Sequence, residues 1–502
     1  MSVPAENLEL IGPAREFLNK TQQMLIDGQW VEAASGRRFE VQDPASGETI
    51  TSVPEASNED VDRAVKAARQ AFTTGPWSRM TVSERSRIIW RIGDLILEHL
   101  EELAVIESLD NGKPVSVASA ADVPLAADMF HYMAGWASKR HGNTMDLSVP
   151  YTPGVNYHAY TRPEPVGVVG QIIPWNFPLL MAAWKMAPAL ATGCTVVLKV
   201  AEETPLSALR LGELLQQAGL PDGVVNIITG FGETAGAALA GHPDVNKIAF
   251  TGSTEVGRLI VQAAIGNLKK VSLELGGKSP NIILKDADLD LAIPGAASAI
   301  FFNQGQTCCA GSRLYVQESI FDQVVDGLAK EAANIRLGHG LDPQTQMGPL
   351  VSHDQFSRVS GYLETGSREG ARAVCGGKRF GDSGYFIEPT VLVDTREDMQ
   401  VVQEEIFGPV LTVMPFKEVD DELVRQANDS IYGLAAGIWT RDLSKAHSLA
   451  ARLEAGSVWV NCYNIFDAAL PFGGYKQSGW GREMGEAVLD NYTETKAVTV
   501  RL

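Results

Sequence analysis

Val166-Gly167-Val168-Val169-Gly170-Gln171-Ile172-Ile173-Pro174-Trp175-Asn176-Phe177-Pro178 is the stretch whose reading decides the fold. Its first eight residues are an apolar run without helical period, which reads as a buried strand. Two prolines then bracket an amide and two aromatic rings, so the chain leaves the strand through a short, stiff loop. Leu179 to Leu190 follows as an apolar helix. Cys194 to Val200 is a second strand and Pro205 to Ala218 a second helix. Val224 to Ile228, Gly236 to Ala240, Lys247 to Phe250, Glu255 to Ala264 and Lys270 to Leu275 repeat the alternation. Strand, helix, strand in this rhythm means βαβ units and a parallel sheet. The preferred site in such a sheet is the crevice beyond the carboxyl ends of its strands.

Working outward, Met24 to Val31 reads as two short strands around a turn. Ser57 to Phe72 puts Val61, Ala64, Val65, Ala68 and Phe72 on one helical face. Thr81-Val82-Ser83-Glu84 has the spacing of a capping box, and Ile88, Ile89, Ile92, Leu95, Ile96 and Leu100 continue it as an apolar stripe. Residues 1–23, broken by Pro4 and Gly12-Pro13, read as a loosely structured arm. Tyr151 to Pro163 alternates like an exposed β segment. A second α/β region starts at Asn281-Ile282-Ile283-Leu284 and ends near Gly473. The tail from Thr493 to Val500 alternates like a strand, which needs an edge to pair with, another subunit being one source.

The bulk properties narrow the class. A chain of 502 residues has room for two or three domains, and 45 % hydrophobic with 21 % charged residues is ordinary globular composition. A net charge of −19 argues against nucleic acid or an anionic membrane as the main partner. Five scattered cysteines imply free thiols in a reducing compartment, and no Cys/His spacing suggests a metal site. The start lacks the basic-then-apolar pattern of a signal peptide, and no long apolar run spans a membrane, so the cytoplasm is the expected location.

Four places carry chemistry on local grounds. Phe301-Phe302-Asn303-Gln304-Gly305-Gln306-Thr307-Cys308-Cys309-Ala310-Gly311-Ser312-Arg313 ends an apolar helical run with two thiols among small residues. Taken alone, such cysteines are more often buried and inert than nucleophilic. Asn176, at a strand's carboxyl end, is either a packed corner or a donor to a developing oxyanion. Phe250-Thr251-Gly252-Ser253-Thr254-Glu255-Val256-Gly257 runs from strand into helix and offers free N–H groups to a phosphate, although the G-x-G-x-x-G fingerprint is absent. Glu274, before Leu275-Gly276-Gly277-Lys278-Ser279, is either a surface ion-pair partner or a general base.

Together with Glu404-Glu405-Ile406-Phe407-Gly408-Pro409 and Pro471-Phe472-Gly473-Gly474-Tyr475-Lys476-Gln477-Ser478-Gly479, these motifs resemble the NAD(P)-dependent aldehyde dehydrogenase superfamily, collinearly over nearly all of residues 24–502. The resemblance implies an α/β fold with a Rossmann-type, parallel-sheet cofactor domain (24–142 and 163–274) and an α/β catalytic domain (275–475). It adds a small β oligomerisation segment (143–162 and 485–502), and hence a homodimer or homotetramer. Carried over by position, Cys308 is the nucleophile, Glu274 the general base and Asn176 the side-chain half of the oxyanion hole. Lys199 and Glu202 match contacts to the adenosine ribose. Ile172, Ile173, Trp175, Gly232, Gly252, Ser253 and Val256 fall along the rest of the dinucleotide path. Gln355, Glu405 and Phe407 match the nicotinamide side. Lys185 and Glu483 fall where some members have a proton relay behind Glu274.

The resemblance also implies the reaction. The Cys308 thiolate forms a thiohemiacetal, which is oxidised to a thioester, and Glu274 activates water to release the acid. By position Phe177, Leu180, Met181, Trp184, Phe302, Phe466 and Phe472 line the substrate tunnel. Aromatic and apolar walls favour a hydrophobic aldehyde, aryl or medium-chain, phenylacetaldehyde being the first expectation. The aromatic rings also suit a quaternary ammonium, which keeps betaine aldehyde as an alternative. No Arg or Lys falls among these positions to hold a substrate carboxylate. A CoA-acylating enzyme is the other alternative, with Glu274 against it. Glu202 repels a 2′-phosphate and favours NAD, while Lys199 leaves NADP as a weaker option.

Overall fold

The computed structural model describes residues 12–502. Its first sheet has five parallel strands at its heart, in the spatial order Val225–Ile228, Thr195–Lys199, Val168–Ile172, Lys247–Thr251 and Lys270–Glu274. The chain builds from Val168–Ile172 outward to one side, then crosses over and builds to the other. Strand order therefore reverses between Val168–Ile172 and Lys247–Thr251, the switch point at which such sheets open a crevice. Antiparallel pieces close both flanks. Met24–Ile26 and Gln29–Val31 extend one side, and Gly479–Trp480 pairs with Leu273 and Glu274 on the other.

Both faces of this sheet are covered, which is why its strands read as unbroken apolar runs. Val169, Val196, Leu198 and Ile227 pack on the side of helices Pro178–Thr192 and Leu206–Gln217. Val168, Val197, Ile228 and Ile248 pack on the opposite side with Val61, Ala64, Val65 and Ala68 of helix Asn58–Thr73. Every residue of Pro178–Thr192 is buried, so this helix is apolar all round instead of amphipathic. Helix Val82–Glu98 starts on the anticipated capping box: Thr81 N–H donates to Glu84 at 2.8 Å, and the Glu84 N–H returns to Thr81 Oγ1 at 3.4 Å.

A second, seven-stranded sheet takes Arg372–Cys375, Thr390–Val393, Val410–Phe416, Arg313–Gln317, Pro280–Ile283, Ala435–Trp439 and Ser457–Val460 in that order, parallel except at its first pair. A third sheet joins Thr493–Arg501, Tyr157–Pro165 and Thr144–Met145.

Three details differ from the sequence reading. Within the arm, Gly12–Leu18 is helical, because a proline in the first helical turn costs no hydrogen bond and Ala14 and Phe17 bury their side chains; residues 1–11 lie outside the described residues. The exposed β segment begins at Tyr157, since Pro153 and Gly154 (φ 82°) turn the chain just before it. The terminal strand finds its edge within its own chain, pairing along its length with Tyr157–Pro165.

Candidate active site

The site is assembled where the two large sheets meet. Asn176, 4 % exposed, leaves the central strand on the Pro174–Pro178 loop. The loop's carbonyls are tied down: Trp175 O accepts from Asn111 Nδ2 at 2.7 Å, and Asn176 O accepts from Lys113 Nζ at 3.0 Å and Asn303 Nδ2 at 3.1 Å. The Asn176 amide gives one N–H to Gln306 O at 2.9 Å. An amide has two, and the second is the candidate oxyanion donor.

Cys308 arrives from the other sheet. Helix Leu289–Phe301 ends, and Asn303 and Gln304 follow with φ of 49° and 59°. Two successive non-glycine residues in the left-handed region cost about 1–3 kcal/mol each and persist only where the surroundings impose them. Here Asn303 Nδ2 binds Asn176 O, Gln304 Nε2 binds Pro349 O at 3.1 Å, and Gln306 Oε1 accepts the Val351 N–H at 3.0 Å. Gly305 continues at φ 71°, where a Cβ would lie 2.1 Å from Gly408 O. The strained loop delivers Cys308, half-buried, and Cys309, fully buried, to the site. The Cys309 carbonyl accepts from the Tyr463 hydroxyl at 2.8 Å. The adjoining Cys309 thiol, and then burial, push the Cys308 thiol well above its ordinary pKa, so it needs a base or a nearby positive charge to ionise.

Glu274 is the last residue of its strand, and its carbonyl accepts the Gly252 N–H at 3.1 Å. Burial first, and then the Glu483 charge, hold its carboxyl well above the usual range. Its Oε2 has no partner among the described residues, as suits a group kept for water. Lys185 and Glu483 form a buried ion pair at 2.5 Å near Glu274.

Asn176, Glu274 and Cys308 line one cavity of about 280 Å³. Phe177, Leu180, Met181, Trp184, Phe302, Phe466 and Phe472 line it as well. Phe177 stacks on Phe302 at 6.2 Å, and Trp184, Phe466 and Phe472 pack on one another at 5.5–6.1 Å. Trp175, Gly252, Ser253, Gln355, Glu405 and Phe407 share the same cavity, with Trp175 edge-on to Phe407 at 5.2 Å. Ile172, Ile173, Lys199, Glu202, Gly232, Val256, Lys185 and Glu483 lie outside this lining. Ile172 and Ile173 are buried in the sheet end, whereas Gly232 and Val256 are exposed. Asp122, Leu125 and Arg358, which nothing local in the sequence marks, also line the cavity. Arg358 lies outside the tunnel positions named from the sequence and sits beside Glu405, donating to that residue's carbonyl at 2.8 Å.

Several features fit a dinucleotide. Lys199 and Glu202 pair at 2.6 Å just beyond a strand's carboxyl end. Ser253 caps helix Thr254–Ala264, leaving the N–H groups of its first turn toward an anion. Gly276 leaves room that a side chain would take from Glu405, since a Cβ there would lie 2.3 Å from Glu405 Oε2. Glu405 accepts the Gly277 N–H at 2.9 Å, and burial pushes its pKa up to about 7.

Comparison with known proteins shows the family. Residues 30–498 match the profile of the Aldehyde dehydrogenase family. The chain is 53 % identical over 503 residues to the mitochondrial aldehyde dehydrogenase of Homo sapiens, covering 100 % of this chain and 95 % of the relative. It is 50 % identical over 481 residues to the mitochondrial benzaldehyde dehydrogenase of Antirrhinum majus, covering 96 % of this chain and 89 % of that one. Among solved structures, an aldehyde dehydrogenase of Bacillus cereus in complex with NAD+ superposes with a TM-score of 0.96 at 52 % identity, covering 99 % of this chain and 100 % of the other. The chain belongs to the aldehyde dehydrogenase family.

Proposed function

We propose that this protein oxidises a hydrophobic aldehyde, aryl or medium-chain, to its carboxylic acid with NAD. One observation carries the reading: Asn176, Cys308 and Glu274 line a single cavity with Gly252, Ser253, Glu405 and Phe407 and with a wall of aromatic rings. Lys199, Glu202, Ser253 and Glu405 would hold NAD, which would supply the hydride acceptor. Once its proton has passed to solvent, the Cys308 thiolate attacks the aldehyde carbonyl, and the second Asn176 N–H and the Cys308 N–H donate to the oxyanion that forms. Losing one such donor typically costs about 10²–10³ in rate. Oxidation leaves a thioester on Cys308. Glu274 takes a proton from water, which attacks that thioester and releases the acid. Lys185 and Glu483 carry the proton away behind it.

The wall argues for the substrate. Phe177, Phe302, Trp184, Phe466 and Phe472 offer flat apolar surface, and a relative with half of its residues in common is named for benzaldehyde. Lys113 Nζ lies 4.4 Å over the Phe177 ring, so that face is taken and serves a substrate cation poorly, which counts against betaine aldehyde. Arg358 lies beside Glu405 and not on the aromatic wall, so a semialdehyde carboxylate has no clamp there. Glu274 with a free carboxylate oxygen suits water as acceptor and counts against CoA. The exposed outer edge of Thr493–Arg501 suits pairing with a second subunit. The test is kcat/KM over a panel of phenylacetaldehyde, benzaldehyde, hexanal, betaine aldehyde and succinic semialdehyde, with NAD and with NADP. Phenylacetaldehyde with NAD leads if the reading holds. A lead of at least tenfold for betaine aldehyde or the semialdehyde, or turnover only with CoA, overturns it.

A further inference from the structure

Lys113 is a lysine with no exposed surface, set behind the oxyanion loop. Helix Leu100–Asn111 ends at Gly112 (φ 88°), and the turn there carries the Lys113 side chain inward. Its ammonium has three hydrogens and three acceptors: Glu107 Oε1 at 3.2 Å, Asp122 Oδ2 in a short contact, and the Asn176 carbonyl at 3.0 Å. The charge also lies 4.4 Å over the ring of Phe177, the next residue. Each carboxylate has a second task. Glu107 Oε2 accepts the Leu179 N–H at 3.1 Å, at the start of helix Pro178–Thr192. Asp122 closes the π-helical turn Ala118–Asp122 and forms part of the cavity wall. Such turns recur at functional sites.

A fully buried ion triad is an uneconomical way to stabilise a fold, because well-packed apolar residues commonly do as well. What this one does that apolar residues cannot is hold a carbonyl in a fixed direction. The carbonyl belongs to Asn176, and fixing that peptide fixes where the Asn176 side chain starts.

We propose that Lys113, clamped by Glu107 and Asp122, is a positioning residue of the oxyanion hole, aiming the Asn176 amide by holding, with Asn303 and Asn111, the Asn176 carbonyl. This rests on the oxyanion role given to Asn176 above. Lys113 is fully buried and does not line the cavity, so it acts through the groups it holds, and the Asn176→Ala background separates the part that passes through Asn176 from any passing through Phe177 or Asp122.

Substituting Lys113 by itself would leave two buried carboxylates unpaired and endanger folding. The test therefore uses Glu107→Gln/Lys113→Met/Asp122→Asn together, with Asp122→Asn alone as a milder second variant. Each is made in the full-length chain, with and without Asn176→Ala. The rate of NADH formation in the first turnover is measured at saturating NAD. The triple variant should slow it about 10- to 100-fold, short of the full loss of a donor, and Asp122→Asn should slow it about three- to tenfold. In the Asn176→Ala background either change should slow it by less than about threefold more, because the group being aimed is gone. Alkylation of Cys308 by iodoacetamide, which builds no oxyanion, should stay within about twofold of wild type. A collapsed site would change alkylation too, and that result overturns the proposal. So does equal, multiplicative slowing in both backgrounds. A wild-type rate for the variants beside an impaired Asn176→Ala overturns the proposal alone. A wild-type rate for Asn176→Ala overturns the oxyanion reading and the proposal with it. Should the triple variant not fold, Asp122→Asn decides by the same pattern.

Discussion

Gly277→Ala puts a methyl group where the backbone of Cys308, the proposed nucleophile, already lies. The added Cβ would sit 2.3 Å from the Cys308 carbonyl oxygen and 3.3 Å from Leu434 Cβ. Ordinary contact begins near 3.4 Å, so the Cys308 peptide must retreat by about 1 Å. It cannot do so alone. The Tyr463 hydroxyl holds the Cys309 carbonyl at 2.8 Å, the Gly311 N–H is fixed to Ala299 O at 3.0 Å, and Gly277 is itself bonded to Glu405 at 2.9 Å. The displacement therefore reaches Sγ and the Cys308 N–H, both of which must meet the aldehyde carbonyl. A misplacement of about 1 Å costs about 10²-fold in rate, or about 2.7 kcal/mol in activation free energy. Stopped-flow NADH formation in a single turnover should show this loss, with overpacking removing a further ~1–3 kcal/mol of stability. Gly361→Ala is the matched control. Gly361 lies inside helix His353–Glu369 with nothing within 4 Å of its added Cβ, so its rate should not change and stability should rise by about 0.5–1 kcal/mol. A Gly277→Ala enzyme within about threefold of wild type would refute the claim that packing against Gly277 fixes the Cys308 turn.

Two further predictions separate the roles around the nucleophile. Cys308→Ser should abolish NAD reduction, whereas Cys309→Ser, which removes a buried thiol 3.6 Å from Asn464 Oδ1, should leave most of it; equal loss of both in steady-state assays would refute the assignment of Cys308 as nucleophile. Glu274 must be ionised to accept a proton from water, and burial with the Glu483 charge raises its pKa. Deacylation should therefore rise with pH through that raised value and fall away in acid, and Glu274→Gln should remove this limb from the pH profile of turnover while sparing the first burst of NADH.

The parts of the molecule legible in the sequence are those whose signal is local. The strands at Val168–Ile172 and Thr195–Lys199 are apolar because both of their faces are covered, and strand-end positions follow directly from where strands stop, Asn176 after Val168–Ile172 and Glu274 at the end of Lys270–Glu274. The two faces of the Gly12-Pro13 signal were harder to tell apart, since the same pair breaks one helix or begins another, and burial of Phe17 decides it. Lys113 was illegible for a different reason. It meets Asn176 63 positions along the chain, and in Asn111-Gly112-Lys113-Pro114 it reads as a turn residue. Asp122 and Arg358 are likewise brought to the cavity only by tertiary packing. Gly232 and Val256 come from the resemblance alone, as dinucleotide contacts, and the fold leaves both exposed outside the cavity lining.

The central claim is that the acyl group passes through Cys308 and waits there for Glu274. Its most direct test is to mix Glu274→Gln enzyme with NAD and phenylacetaldehyde, quench in acid within the burst, and sequence the peptide spanning residues 286–313 by mass spectrometry. The account predicts a phenylacetyl thioester on Cys308 at close to one per active site; an unmodified Cys308, or the acyl group on Cys309, would contradict it.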